Sequence, residues 1–200
     1  MKWSLLAPIL FVTSSLAGNL LLEINGQKFE ISEDQVETLE LKNGDELKVR
    51  LTKKSTATFD APMFSVDHPG QMSASREDLG DGIHQTILVT PNGTLALVQE
   101  YETVDPSSLI DLLIDELTEE EVSFGYKLEK QEAEKTLADG SIAKGLKVVT
   151  THEEEEYTRF VLTVSKDGQG LMLLSQFEKS APEEDSAMID QFWKTLRPKL

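Results

Sequence analysis

The densest run of ligating side chains is His152-Glu153-Glu154-Glu155-Glu156, directly before Tyr157. In an extended strand alternate residues share a face, so His152, Glu154 and Glu156 would project together. One imidazole with two carboxylates is a donor set that suits a divalent cation. The same run also reads as a solvated hairpin tip between Val149 and Phe160, where charge blunts an exposed edge. His68 stands between Asp67 and Pro69, and His84 follows Gly82. Catalysis by either would need a nucleophile and an orienting acid gathered in space. The Gly-x-Ser-x-Gly pattern of a nucleophile elbow is absent. Asp78-Leu79-Gly80-Asp81-Gly82 lacks the alternating acids and the distal glutamate of a calcium loop, so a turn is expected. Gly168-Gln169-Gly170 is too short for a phosphate-binding fingerprint. Asn92-Gly93-Thr94 has the form of a glycosylation acceptor, but a hairpin turn already accounts for it. The sequence therefore assigns no catalytic, cofactor-binding or metal-ligating residue.

The elements around these residues are mostly strands. Leu20–Ile24 and Gln27–Ile31 flank Asn25-Gly26, and Thr38–Lys42 and Glu46–Leu51 flank Asn43-Gly44. Asn-Gly between alternating runs signals a hairpin, because both residues tolerate positive φ. Residues 19–58 are thus expected to form a small β module, four strands and then a polar linker through Thr58. Beyond it, strands are expected at Met63–Asp67, Ser73–Arg76, Ile83–Thr90 and Thr94–Tyr101. The period then changes. Asp105-Pro106 predicts a helix start, and Ile110, Leu113, Ile114 and Leu117 form one apolar stripe with acids opposite. Tyr126–Leu137, Ile142–Thr151, Tyr157–Ser165 and Leu171–Phe177 predict a strand meander turned at Asp139-Gly140 and Asp167-Gly168. A second helix is expected after Pro182, with Met188, Ile189, Phe192, Trp193 and Leu196 on one face and Ser180 and Glu183 at capping-box spacing. Trp193 on that apolar face reads as core rather than as a sugar-stacking platform.

The order from about Phe64 to Leu200 resembles the PsbP-like and Mog-type α/β/α sandwich family. Phe64-Ser65-Val66-Asp67-His68-Pro69 resembles its opening strand, Asp105–Leu117 its middle helix and Met188–Leu196 its closing helix. The resemblance implies an α+β fold, residues 59–200, with helices flanking an antiparallel sheet. It also implies a protein that binds and assembles partners and is not an enzyme. The photosystem member contacts manganese- and calcium-bearing machinery and the Mog type binds a small GTPase, but no ligand-bearing motif of either occurs here.

The amino terminus carries an address. Lys2, the apolar run Leu5–Val12 and Leu16-Ala17-Gly18 have the form of a secretory signal peptide spanning residues 1–18, cleaved near Ala17-Gly18-Asn19. The apolar run is shorter than the roughly 20 residues a bilayer requires. A lipoprotein would need cysteine at position 19, where Asn19 stands, so no stable membrane anchor is expected. The net charge of -17 weighs against nucleic acid, whose binding rests on Lys and Arg at phosphates. With 0 cysteines, disulfides, thiolate metal sites and cysteine nucleophiles are excluded. These features predict an exported, periplasmic or secreted, soluble protein that is not an enzyme, uses no cofactor and binds a protein partner. Two other readings are a divalent-cation protein using His152–Glu156 and a hydrolase whose site assembles only in three dimensions.

Overall fold

The computed structural model describes residues 20–200 and divides into two compact units, one ending at Lys53 and one starting at Lys54. The expected signal peptide lies outside the described residues.

In the first unit, β1 (Leu20–Ile24) and β2 (Gln27–Ile31) pair in antiparallel register across Asn25-Gly26. Both turn residues have positive φ, 49° and 76°, as a type I′ turn requires. β3 (Val36–Glu40) and β4 (Glu46–Arg50) form a second hairpin. Its loop is longer than expected, closed by Leu41 N–H donating to the Asp45 carbonyl at 2.8 Å. The two hairpins are separate two-stranded sheets within this unit.

The second unit starts with a strand where a linker was expected. β5 (Thr56–Asp60) pairs with β6 (Phe64–Pro69), so residues 54–58 fold with the larger unit. Next come β7 (Ser75–Gly80), β8 (Ile83–Val89) and β9 (Leu95–Tyr101), then a short 3-10 turn at Pro106–Leu109 and α1 (Ile110–Ser123). β10 (Lys127–Thr136), β11 (Ile142–His152), β12 (Glu155–Lys166) and β13 (Gln169–Glu178) form the long meander. α2 (Glu183–Thr195) and β14 (Arg197–Pro198) follow. One antiparallel sheet takes the order β10-β11-β12-β13-β9-β8-β7, and a second takes β14-β6-β5.

The expected helix-flanked α/β/α sandwich is corrected by this count of elements. Among the described residues strand makes up 54% and helix 17%, with two α-helices and a seven-stranded sheet. The physical reason lies in what covers the large sheet. On one face Phe64 and Val66 of β6 join Val98, Leu162 and Leu173 of the large sheet and Met188 and Phe192 of α2 in one core cluster. A three-stranded sheet thus shares with α2 the place that a helical layer would take. On the other face Leu97, Val148, Val161, Met172 and Leu174 pack with Ile114 of α1. Two glycines permit that approach. A Cβ on Gly145 would lie 2.2 Å from the Val161 carbonyl and 3.2 Å from Ile110 Cδ1, and one on Gly170 would lie 2.6 Å from Pro106 Cδ.

The capping box of α2 does not form. Pro182 holds the cap position, and the Ser180 hydroxyl donates to Glu178 instead. Glu183, Glu184 and Asp185 still place negative charge at the positive end of the helix.

Candidate functional site

The His152–Glu156 run is the tip of the β11–β12 hairpin. His152 ends β11 opposite Glu155, which begins β12, and the chain reverses through Glu153, at φ 53°. The reversal removes the extended geometry that would align His152, Glu154 and Glu156. The His152 ring stacks on Tyr126 at 5.0 Å, the Tyr126 hydroxyl donates to Glu155, and Lys179 pairs with Glu156 at 2.9 Å. That hydrogen bond pushes the Tyr126 pKa up to about 12. Among the described residues no three His, Asp or Glu side chains are placed to hold a metal ion.

The other two histidines lie apart from this tip. His68 is buried in β6, its Nδ1 donating to the Pro69 carbonyl at 3.0 Å. His84, in β8, faces two acids across neighbouring elements: Nδ1 lies 3.6 Å from Asp78 and Nε2 3.4 Å from Glu102. Its cross-strand neighbour Glu100 is buried and held by Arg76 at 3.1 Å. Neither histidine hydrogen-bonds a serine or threonine hydroxyl among the described residues. Asp78–Gly80 ends β7 and Asp81-Gly82 turns into β8, while Gly168 lies in the β12–β13 turn and Gln169-Gly170 open β13. Trp193 is buried on α2, as its spacing predicts.

α1 buries one apolar face and exposes apolar side chains on another. Ile110, Leu113, Ile114 and Leu117 turn toward the sheet as their spacing predicts. The C-terminal end of the helix is pinned by Glu121, which receives the Arg159 guanidinium while Arg159 also donates to Gln176 at 2.7 Å and Thr150 at 2.9 Å. With the inner face fixed, Leu112 and Val122 are left 66% and 45% exposed, and Phe124 at the cap is 71% exposed. Leu112 and Val122 line a groove of about 540 Å³ with Thr118 and with Leu128 of β10, rimmed by Asp115, Glu116 and Glu119. Lys130 pairs with Asp115 at 3.1 Å, while Glu116 and Glu119 have no ion-pair partner among the described residues. The sequence signal was present, since Leu112 and Val122 interrupt an otherwise acidic face. It was absorbed into the stronger stripe on the opposite side.

No family model matches the chain, and no curated protein matches it. A crystal structure from Bacteroides thetaiotaomicron VPI-5482, at 1.50 Å resolution, is similar with a TM-score of 0.42 and 14% sequence identity over 74% of this chain. The chain spans about half the length of that protein, 50% of it.

Proposed function

We propose that the chain is an exported, non-catalytic binding or assembly protein, and that its partner offers a basic segment carrying apolar side chains. The observation that carries this reading is the α1 groove: an apolar floor of Leu112, Val122 and Leu128 under the acids Asp115, Glu116 and Glu119. Burying an exposed leucine or valine contributes roughly 1.5–3 kcal/mol, so a few such contacts set a specific register. The rim and the net charge of -17 draw a cationic partner and speed its arrival, an effect that salt weakens. Export is supported by the leader pattern from Lys2 to Gly18. No helix of the described residues is long and apolar enough to cross a membrane.

A labelled amphipathic Leu/Lys peptide, compared by fluorescence anisotropy with a scrambled peptide of equal charge, tests the groove. The amphipathic peptide is expected to bind more tightly, and the Leu112→Ser, Val122→Ser double variant to weaken it about tenfold. Equal binding of both peptides, or an unaffected double variant, overturns the reading. Export is tested separately by fusing residues 1–30 to a reporter that is active only outside the cytoplasm of a bacterial host, where silence counts against it.

A further inference from the structure

The opposite face of the large sheet carries a second feature, independent of the groove on α1. α2 leaves a gap between itself and the strands β10, β12 and β13. The gap is about 140 Å³ and is lined by Lys135, Phe160, Phe177, Ile189 and Trp193, with Ser186 and Asp190 of α2 at its edge. Its aromatic walls are held in place. Trp193 donates its indole N–H to Ser175 Oγ at 3.1 Å and packs edge-on against Phe160 and Phe192, centroids 6.3 and 5.0 Å away.

Lys135 is the unusual member. Its Nζ sits 4.4 Å from the Phe160 ring centroid and 5.3 Å from that of Trp193. Lys130, Lys179, Lys194 and Lys199 all reach carboxylates, yet no carboxylate lies within ion-pair distance of Lys135 among the described residues. Lys147 is likewise half-buried without an ion pair among the described residues, but of the two only Lys135 stands over aromatic rings. Burial holds its ammonium below the ordinary pKa, and the Asp190 charge opposes that shift only in part. Asp190 is itself engaged by Lys194 at 3.3 Å. The aromatic faces compensate some of the lost hydration through cation–π attraction, and a bound anion would compensate more.

We propose that this gap is a ligand site for a small aryl monocarboxylate, its ring among Phe160, Phe177 and Trp193 and its carboxylate on Lys135 Nζ. The size fits, since an apolar cavity of about 150 Å³ holds one benzene ring. The walls supply apolar area and the lysine supplies orientation, the usual division of labour in a small-molecule site.

Benzoate is the probe, and Trp193 the reporter, in the full chain carrying Trp3→Phe so that one indole remains. Benzoate is expected to change Trp193 emission saturably in the millimolar range, while benzamide (ring without charge) and acetate (charge without ring) do not. Lys135→Met keeps the alkyl stem and removes the charge. It is expected to weaken benzoate about tenfold or more, as loss of a charged hydrogen bond does, with a melting midpoint no lower than the parent's. Asp190→Asn, which leaves Lys135 in place, is expected to tighten benzoate by removing the nearest negative charge. The proposal is overturned if benzoate gives no saturable change, if benzamide binds equally, if Lys135→Met binds as the parent does, or if Asp190→Asn weakens binding.

Discussion

Tyr126 joins three features at one point: its ring lies on His152 and near Tyr157, and its hydroxyl donates to Glu155. The hydrogen bond to a carboxylate favours the protonated phenol and raises its pKa from 10.0 to about 12. A folded-state pKa above the unfolded one gives stability that is complete below the unfolded value. That contribution is lost as pH rises from about 10 through about 12. Tyr126→Phe is therefore expected to melt lower than the parent at pH 8 and to converge with it by pH 12. Thermal melts across that range check this, and a constant gap between the two proteins would refute it. What the sequence revealed at this scale was composition rather than geometry. It located the His152–Glu156 run and weighed a solvated hairpin tip against a metal site. The turn at Glu153 rests on backbone conformation that no residue type in the run dictates. Lys135 gave no local signal at all, because its aromatic neighbours stand 25 or more positions further along the chain.

The elements themselves were more legible, wherever a turn dipeptide or a change of period marked them. Asn25-Gly26, Asp139-Gly140 and Asp167-Gly168 fall at real turns, and Asp105-Pro106 opens the turn that leads into α1. The misses have physical causes. Thr56–Asp60 is polar and reads as linker, but it gains strand geometry by pairing with β6. Ser180 and Glu183 have capping-box spacing, but Pro182 occupies the cap. How the helices dock depends on glycines inside strands. Gly145 faces both Val161 and Ile110, and an added methyl would meet backbone on one side. Gly145→Ala is expected to destabilise the chain by about 1–3 kcal/mol, in line with overpacking of a close contact. Urea unfolding measures this, and an unchanged midpoint would show that α1 can move aside at no cost.

At the scale of the whole molecule, strand partners were the least legible feature. β9 pairs with β13, which lies beyond α1 and three further strands, and nothing in either sequence names the other. Residues 54–200 contain both core clusters in full. Produced alone, they are expected to unfold in one cooperative transition by circular dichroism, and a broad, non-cooperative melt would contradict that. The C-terminal strand has one more consequence. β14 closes the smaller sheet against β6, and Lys199 hydrogen-bonds the Ala61 carbonyl across 138 positions. While the chain is being made, β5 and β6 emerge early and wait for both α2 and their third strand. The apolar face of β5 and β6 is therefore covered only once α2 and Arg197–Pro198 have been made.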